Sequence, residues 1–424
     1  MWKTIKEREF GIIRPNLFRS FICKSRVSSI DLSNHKEIVS SHRGSINSLQ
    51  IDLTEGRYLL AGSADATVAV YDIQCATDHE AGGLIAKHRS LFVIGRQHEH
   101  GHEFAVSSAI WYPVDTGLFV TGSYDRNVNV WDTNTNQMVM NFKMPGKVYR
   151  TAMSSIAKSH MLIATGTEDA EVRLCDIASG ASTHTLSGHL DGVMSLDWST
   201  SCEWVLVSGS CDGAIRFWDI RRAGCFRVLD QMRTQLGRRP PLLAHPKAGR
   251  VYDLSCLFCA EVFFFNEKKL NVSTSTPRAT VSASAQVKVT KRKSHPGMLS
   301  VHDRSTGHYG VVTGLKMTED GMYLLSAGSD SRLRMWDMDS GCNTLVNYGA
   351  IRFPSRKPIQ MAVTEDSSFV FVPCLAGISQ SFDVSSGKTV RSFRGHYDCV
   401  NCCCYNAQDQ ASRGNDREIL VWTP

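Results

Sequence analysis

Along most of the chain, apolar and polar residues alternate with the period of two that marks half-buried β-strands. Met194, Leu196 and Trp198 set against Ser195 and Asp197 are one example. No helical period competes with it there. The alternating stretches recur in a fixed order: a Gly-His or similar pair, a strand, a short turn, a second strand ending in small residues, an Asp, and a third strand ending in Trp-Asp. The clearest copy is GHLDGVMSLDWSTSCEWVLVSGSCDGAIRFWD, residues 188–219, and others start at His42, Gly101 and Gly307. From the repeat His to the closing aromatic there are 29 residues for His42 to Tyr71, His102 to Trp131 and His189 to Trp218, and 28 for His308 to Trp336. So tight a spacing predicts one structural unit used repeatedly.

Two degenerate copies, at 148–176 and 358–383, and a last one at 395–422 bring the number to seven. Seven such units predict an all-β fold, a seven-bladed β-propeller of the WD-repeat type. The last copy is short, with 26 residues from His396 to Trp422, and its second strand shrinks to a few residues around QASRG. That blade is expected to be weak. Closure is then expected to lean on residues 35–40, HKEIVS, as its outer strand, which removes the exposed edges of an open sheet.

The marked residues predict a buried hydrogen-bonded chain in each good copy: His189, Ser208, Asp212 and Trp218; His102, Thr121, Asp125 and Trp131; His308, Ser326, Asp330 and Trp336. A Ser, a His and an Asp together resemble a hydrolase triad. Repetition argues against that, because an active site is needed once and a scaffold in every blade. The chain therefore reads as non-enzymatic.

Strand direction sorts the residues onto two faces. The repeat His and the Asp before the third strand lie on one face, and Ile220 and Arg221 are expected to emerge on the other. Residues 1–30 are expected on that second face as a short helical arm of two amphipathic segments, with Trp2, Ile5, Phe10 and Ile13 among Lys3, Lys6, Arg8 and Arg14, broken at Gly11 and Pro15. Its apolar side is expected to pack on a partner, the alternative being a disordered tail. The blades then occupy 31–230 and 307–424, separated by an insertion at 231–306.

Composition narrows the class without changing it. A hydrophobic fraction of 42% with 21% charged residues is that of a soluble globular chain, and a net charge of +6 does not demand nucleic acid. Direct sequence-specific nucleic-acid binding is not expected. The charged start lacks the apolar run of a secretory signal, and no stretch approaches a membrane span. Fourteen cysteines then read as reduced thiols in the cytosol or nucleus. Cys399, Cys402, Cys403 and Cys404 lack a second ligand pair at zinc spacing, and His98 and His100 sit in a loop, so neither metal nor cofactor is expected.

After an outer strand near 225–230, the insertion becomes Ser/Thr-rich and basic and is expected to be largely disordered, with KVTKRK at 288–293 as a candidate nuclear-import signal. Residues 251–270, apolar and Phe-rich, fit no blade. They read either as a retained intron in the gene or as a docking segment.

At 206–221, LVSGSCDGAIRFWDIR, the third strand runs into Trp218, Asp219, Ile220 and Arg221. This resembles the WD-x-R box by which WD-repeat substrate receptors dock on the triple-propeller adaptor (damage-specific DNA-binding protein, large subunit) of cullin-4 RING ubiquitin ligases. The pairs in WDTN and WDMD carry Asn134 and Asp339 where the Arg belongs. EGRYLLAGSADATVAVYD, WYPVDTGLFVTGSYDRNVNVWDTNT, NTLVNYG and RGHYDCVNCC extend the resemblance to the Cockayne syndrome group A family, over residues 1 to about 250 and 295–424. The resemblance implies a nuclear substrate-recognition subunit of a cullin-4 ligase acting in transcription-coupled nucleotide excision repair. Its implied partners are the adaptor, RNA polymerase II stalled at lesions and the Cockayne syndrome group B ATPase, with Asp212, Trp218, Asp219 and Arg221 as the adaptor-binding set. A general WD-repeat scaffold or chromatin-binding protein without ligase function remains the alternative.

Overall fold

The structure, a computed structural model, describes residues 2–424 except 81, 83, 223, 235–304, 350, 354–356, 376, 407–409 and 415–416. Two helices, α1 (Trp2–Glu9) and α2 (Pro15–Ser29), precede two short strands, β1 (Asp31–Leu32) and β2 (Lys36–Ile38), and the seven blades of a propeller.

Blade 1 is built from Ile46–Ile51, Tyr58–Ser63, Val68–Asp72 and Ser90–Ile94, and blade 2 from Val106–Trp111, Leu118–Ser123, Asn127–Asp132 and Met138–Lys143. Blade 3 has Val148–Met153, Leu162–Thr167, Glu171–Asp176 and Ala181–Ser187; blade 4 has Val193–Trp198, Val205–Ser210, Ile215–Asp219 and Gly224–Val228. Among the described residues blade 5 has three strands, Val312–Met317, Tyr323–Gly328 and Arg332–Asp337, and at its outer position Asn343 bridges Trp336. Blade 6 comprises Ala362–Val363, Phe369–Pro373, Ile378–Asp383 and Thr389–Arg394, and blade 7 Val400–Tyr405, Gln410–Gly414 and Ile419–Thr423.

Burial follows position in the blade. Second and third strands such as Val68–Asp72 are buried on both faces because neighbouring blades cover them, whereas the outer strand Ala181–Ser187 is exposed at nearly every residue. The small residues ending each second strand answer to this stacking. A Cβ on Gly122 would lie 2.8 Å from Val148 Cγ1 of blade 3, and one on Gly209 would lie 2.5 Å from Val312 Cγ1 of blade 5. Only glycine lets the next inner strand approach that closely.

The ring closes through the N-terminal strands. β1 pairs Leu32 with Trp422 and β2 pairs Ile38 with Ile419, so the chain before blade 1 supplies the outer strand of blade 7. A hairpin of blade 1 then adds to the same sheet: Ile85–His88 lies parallel to β2, and Asp78–Glu80 lies beyond it. Blade 7 is thereby tied to blade 1 on both sides of β2.

The short second strand expected around QASRG is present as Gln410–Gly414, paired on both edges. Most of the shortfall lies between the first and second strands, where four residues separate Tyr405 from Gln410 and six separate Trp198 from Val205. Ile220 does not emerge at the surface; it is 3% exposed and packs with Trp198, Leu206 and Cys225. The C-terminal part of the arm packs on the propeller itself, while Phe10, on the side expected to meet a partner, stays 78% exposed. Cys23 and Val27 of α2, with Ile30, pack on Phe369, Phe371, Phe393 and Trp422 of blades 6 and 7. The expected disorder of the insertion, its import signal and residues 251–270 lie outside the described residues.

Candidate functional site

In blade 4 the indole Nε1–H of Trp218 donates to Ser208 Oγ at 2.7 Å. Ser208 Oγ lies 2.7 Å from His189 Nε2, and His189 Nδ1 lies 3.3 Å from Asp212 Oδ2. With the oxygen already accepting the indole, the Ser proton goes to Nε2, which leaves Nδ1–H to donate to the carboxylate. Blade 2 repeats the chain through Trp131, Thr121, His102 and Asp125 at 2.8, 2.7 and 2.7 Å. Blade 5 repeats it through Trp336, Ser326, His308 and Asp330 at 2.8, 2.7 and 2.9 Å.

Burial pushes His189 and His308 down, towards the neutral ring that this proton arrangement requires. Burial also penalises the Asp212 carboxylate. The His189 hydrogen bond and the backbone N–H groups of Leu190 and Ala214 outweigh it and hold Asp212 at about 2. Asp330 and Asp125 are lowered against the same burial by their histidines, and Asp330 also accepts Arg334 Nη1 at 2.8 Å. Each Ser or Thr oxygen is fully buried and engaged on both sides, so the arrangement can brace a blade but cannot reach a substrate.

The four residues of the expected adaptor set do not form one surface. Trp218 is completely buried, and Asp212 is bound to His189 at the opposite end of Ile215–Asp219 from Arg221. Strand direction imposes this separation. Only Asp219 and Arg221 remain together at the strand exit: Arg221 Nε and Nη2 donate to the two Asp219 oxygens at 3.0 and 2.8 Å, with the Arg221 side chain 40% exposed. The guanidinium lies over the ring of Trp204, 5.7 Å from its centroid.

Trp204 belongs to the turn after the inner strand of blade 4, and Asp366 to the same turn of blade 6. Cys23 Sγ–H of α2 donates to Asp366 Oδ1 at 3.3 Å, and Arg391 Nη1 donates to the Ser28 carbonyl at 2.8 Å. The arm and Arg221 therefore share a face. A cavity of about 410 Å³ separates the arm from the blade 6 turn, lined by Arg8, Phe18, Arg19, Ile22, Asp366 and Tyr405 among others. Phe10, Ile12, Leu17 and Phe21 stay exposed on the arm's outer side.

Cys402, Cys403 and Cys404 are buried in the inner strand of blade 7, where burial pushes the Cys403 thiol well up. His98 packs edge-on against Trp131 at 5.6 Å. Among the described residues no three His, Cys, Asp or Glu side chains converge as metal ligands would. Sequence reasoning missed Trp204 and Arg334. Trp204 lies in a turn with no periodic pattern, whereas Arg334, four residues past Asp330, could have been read as its ion-pair partner.

The family description "WD domain, G-beta repeat" matches residues 33–72, 95–132, 180–219, 301–337 and 387–423. The degenerate copies at 148–176 and 358–383 fall between these matches. Across the whole chain and 95% of the relative, the sequence is 59% identical to "WD repeat-containing protein ATCSA-1" of Arabidopsis thaliana. It is 23% identical to "Nuclear distribution protein nudF" of Aspergillus niger over 57% of this chain and 60% of that protein. With "Autophagy-related protein 16" of Arabidopsis thaliana it shares 21% identity over 76% of this chain and 57% of that protein. The repeat network, the closed seven-bladed ring and these likenesses agree: the chain belongs to the WD-repeat protein family.

Proposed function

We propose that the chain is a non-catalytic substrate-recognition subunit of a cullin-4 RING ubiquitin ligase in transcription-coupled nucleotide excision repair. It recruits the ligase to stalled RNA polymerase II and the Cockayne syndrome group B ATPase in the nucleus. Adaptor docking uses the face shared by Arg221 and the N-terminal arm, which leaves the opposite face for clients. The observation that carries this reading is Arg221 itself, a cation held half-exposed at a strand exit by Asp219 and Trp204. A guanidinium fixed this way offers a charge-assisted contact without first having to be ordered. The exposed Phe10, Ile12, Leu17 and Phe21 give the same face an apolar component. The name of the 59% identical relative is consistent with this assignment.

Arg221→Ala is expected to weaken capture of the purified triple-propeller adaptor by at least about tenfold, as loss of a charge-assisted contact does. Its thermal melt should stay within a degree or so of the parent's, since surface side chains carry little stability. Undiminished capture would favour the general scaffold without ligase function.

A further inference from the structure

Arg221 is held from two directions. In its own plane Asp219 takes Nε and Nη2, and across its face lies the Trp204 ring. Trp204 is itself confined, because His160 of blade 3 sits against it with ring centroids 5.2 Å apart and against Trp198 at 5.3 Å. Trp204 also accepts the Ile220 N–H at its carbonyl at 3.0 Å, tying the turn to the strand exit.

The blade 3 turn that carries His160 is docked, not merely adjacent. Glu203 Oε2 accepts the backbone N–H groups of Lys158 at 2.8 Å and Ser159 at 3.3 Å, and the Glu203 carbonyl lies 2.9 Å from His160 Nε2. A carbonyl can only accept, so His160 carries its proton on Nε2. His160 Nδ1 is buried with no hydrogen-bond partner among the described residues. The ring is thus held as an aromatic plate wedged between two tryptophans.

We propose that Trp204 is the positioning residue of the Arg221 contact and that His160 braces it. The docking surface then spans the blade 4 strand exit and the 154–161 turn of blade 3. The proposal rests on the adaptor reading of Arg221. A long cationic side chain loses much rotamer freedom when a partner fixes it, and a stack that fixes it beforehand removes that cost from binding. Around the stack, Lys158 and Arg222 are exposed, and Ile156 is 37% exposed. The surface suits a partner loop that presents a carboxylate or carbonyl oxygen beside an apolar side chain.

The test is a double-mutant cycle on the full chain binding the purified adaptor. Trp204→Leu is expected to cost roughly three- to tenfold in affinity, the range of a partly exposed cation–aromatic contact plus lost preorganisation. The same change should cost almost nothing once Arg221→Ala is in place. His160→Phe should bind as the parent does, and His160→Ala should lose part of what Trp204→Leu loses. An equal cost for Trp204→Leu with and without Arg221 would overturn the proposal, as would no cost where Arg221→Ala is damaging. A second readout does not depend on the adaptor. Hydrogen exchange at the Arg221 Nε–H, followed by NMR, should quicken in Trp204→Leu, and unchanged exchange overturns the positioning role. If Arg221→Ala leaves adaptor binding intact, the adaptor reading fails while the exchange measurement still decides the role of Trp204.

Discussion

Ser208 receives the Trp218 indole proton and passes its own to His189, so one hydroxyl joins the third strand of blade 4 to the connection that enters the blade. The chain ends on Asp212, whose charge is kept by His189 and two backbone donors. Such a carboxylate, held at about 2 against an ordinary value of about 3.9, stabilises the fold fully above that ordinary value. Its contribution disappears as pH falls from about 4 towards about 2. His189, pushed down by burial, acts in the same sense, because the unfolded chain takes up its proton first. Stability against denaturant should therefore drop through the acid range. Asp212→Asn should lower stability at pH 7 by up to about 2 kcal/mol and make the decline between pH 4 and 2 shallower. A decline as steep in the variant as in the parent would remove Asp212 from this account. Residues of this kind are legible in a sequence because they recur at one spacing. Trp204 is not, since its role comes from a single stack of three side chains drawn from two blades.

At the scale of elements, the inner three strands of each blade are written in the alternation and its end signals, while the outer strands are hardly written at all. Ala181–Ser187 is exposed along most of its length and has no apolar face to betray it. Among the described residues blade 5 has no regular fourth strand, and Tyr348, Ile351 and Phe353 pack in one cluster with Leu333 and Met335. The helical arm shows a similar split. Its two helices follow from amphipathic spacing and from Pro15 at the first turn of α2, with Gly11 at a φ of +71° making the bend between them. Its seat could not be foreseen, because Phe369, Phe371, Phe393 and Trp422 lie more than 300 residues away along the chain. Val27 is completely buried there. Val27→Asp should place a charge in that seat and release α2, seen as proteolytic cleavage within residues 1–30, while the propeller still melts cooperatively. Protection of the arm equal to the parent's would contradict the seating.

For the whole molecule, seven sheets become one body only because the last is completed by the first residues after the arm. β2 gives Ile38 to Ile419 on one side and Lys36, Glu37 and Ile38 to the blade 1 hairpin on the other. Ile38→Pro removes an N–H from this three-way junction and bends the strand that carries it. We expect a loss of about 3 kcal/mol or more, as for a proline set inside a paired element, and a melt several degrees lower. A melt unchanged by this substitution would mean that the ring does not depend on the latch. The two faces follow from the same ring, since every inner strand runs in one direction and every first turn reaches one side. That is why a turn of blade 4 and a helix before blade 1 lie on the same face.

The closure also orders events in time. The outer strand of blade 7 and the arm are synthesised long before their partners in Ile419–Thr423. Until those are synthesised, β2 has no strand to pair with and α2 no seat. A translation product that stops before blade 7 therefore cannot seat the arm on the face that carries Arg221. The latch acts as a proofreading step: the arm is seated only after blade 7 has been made.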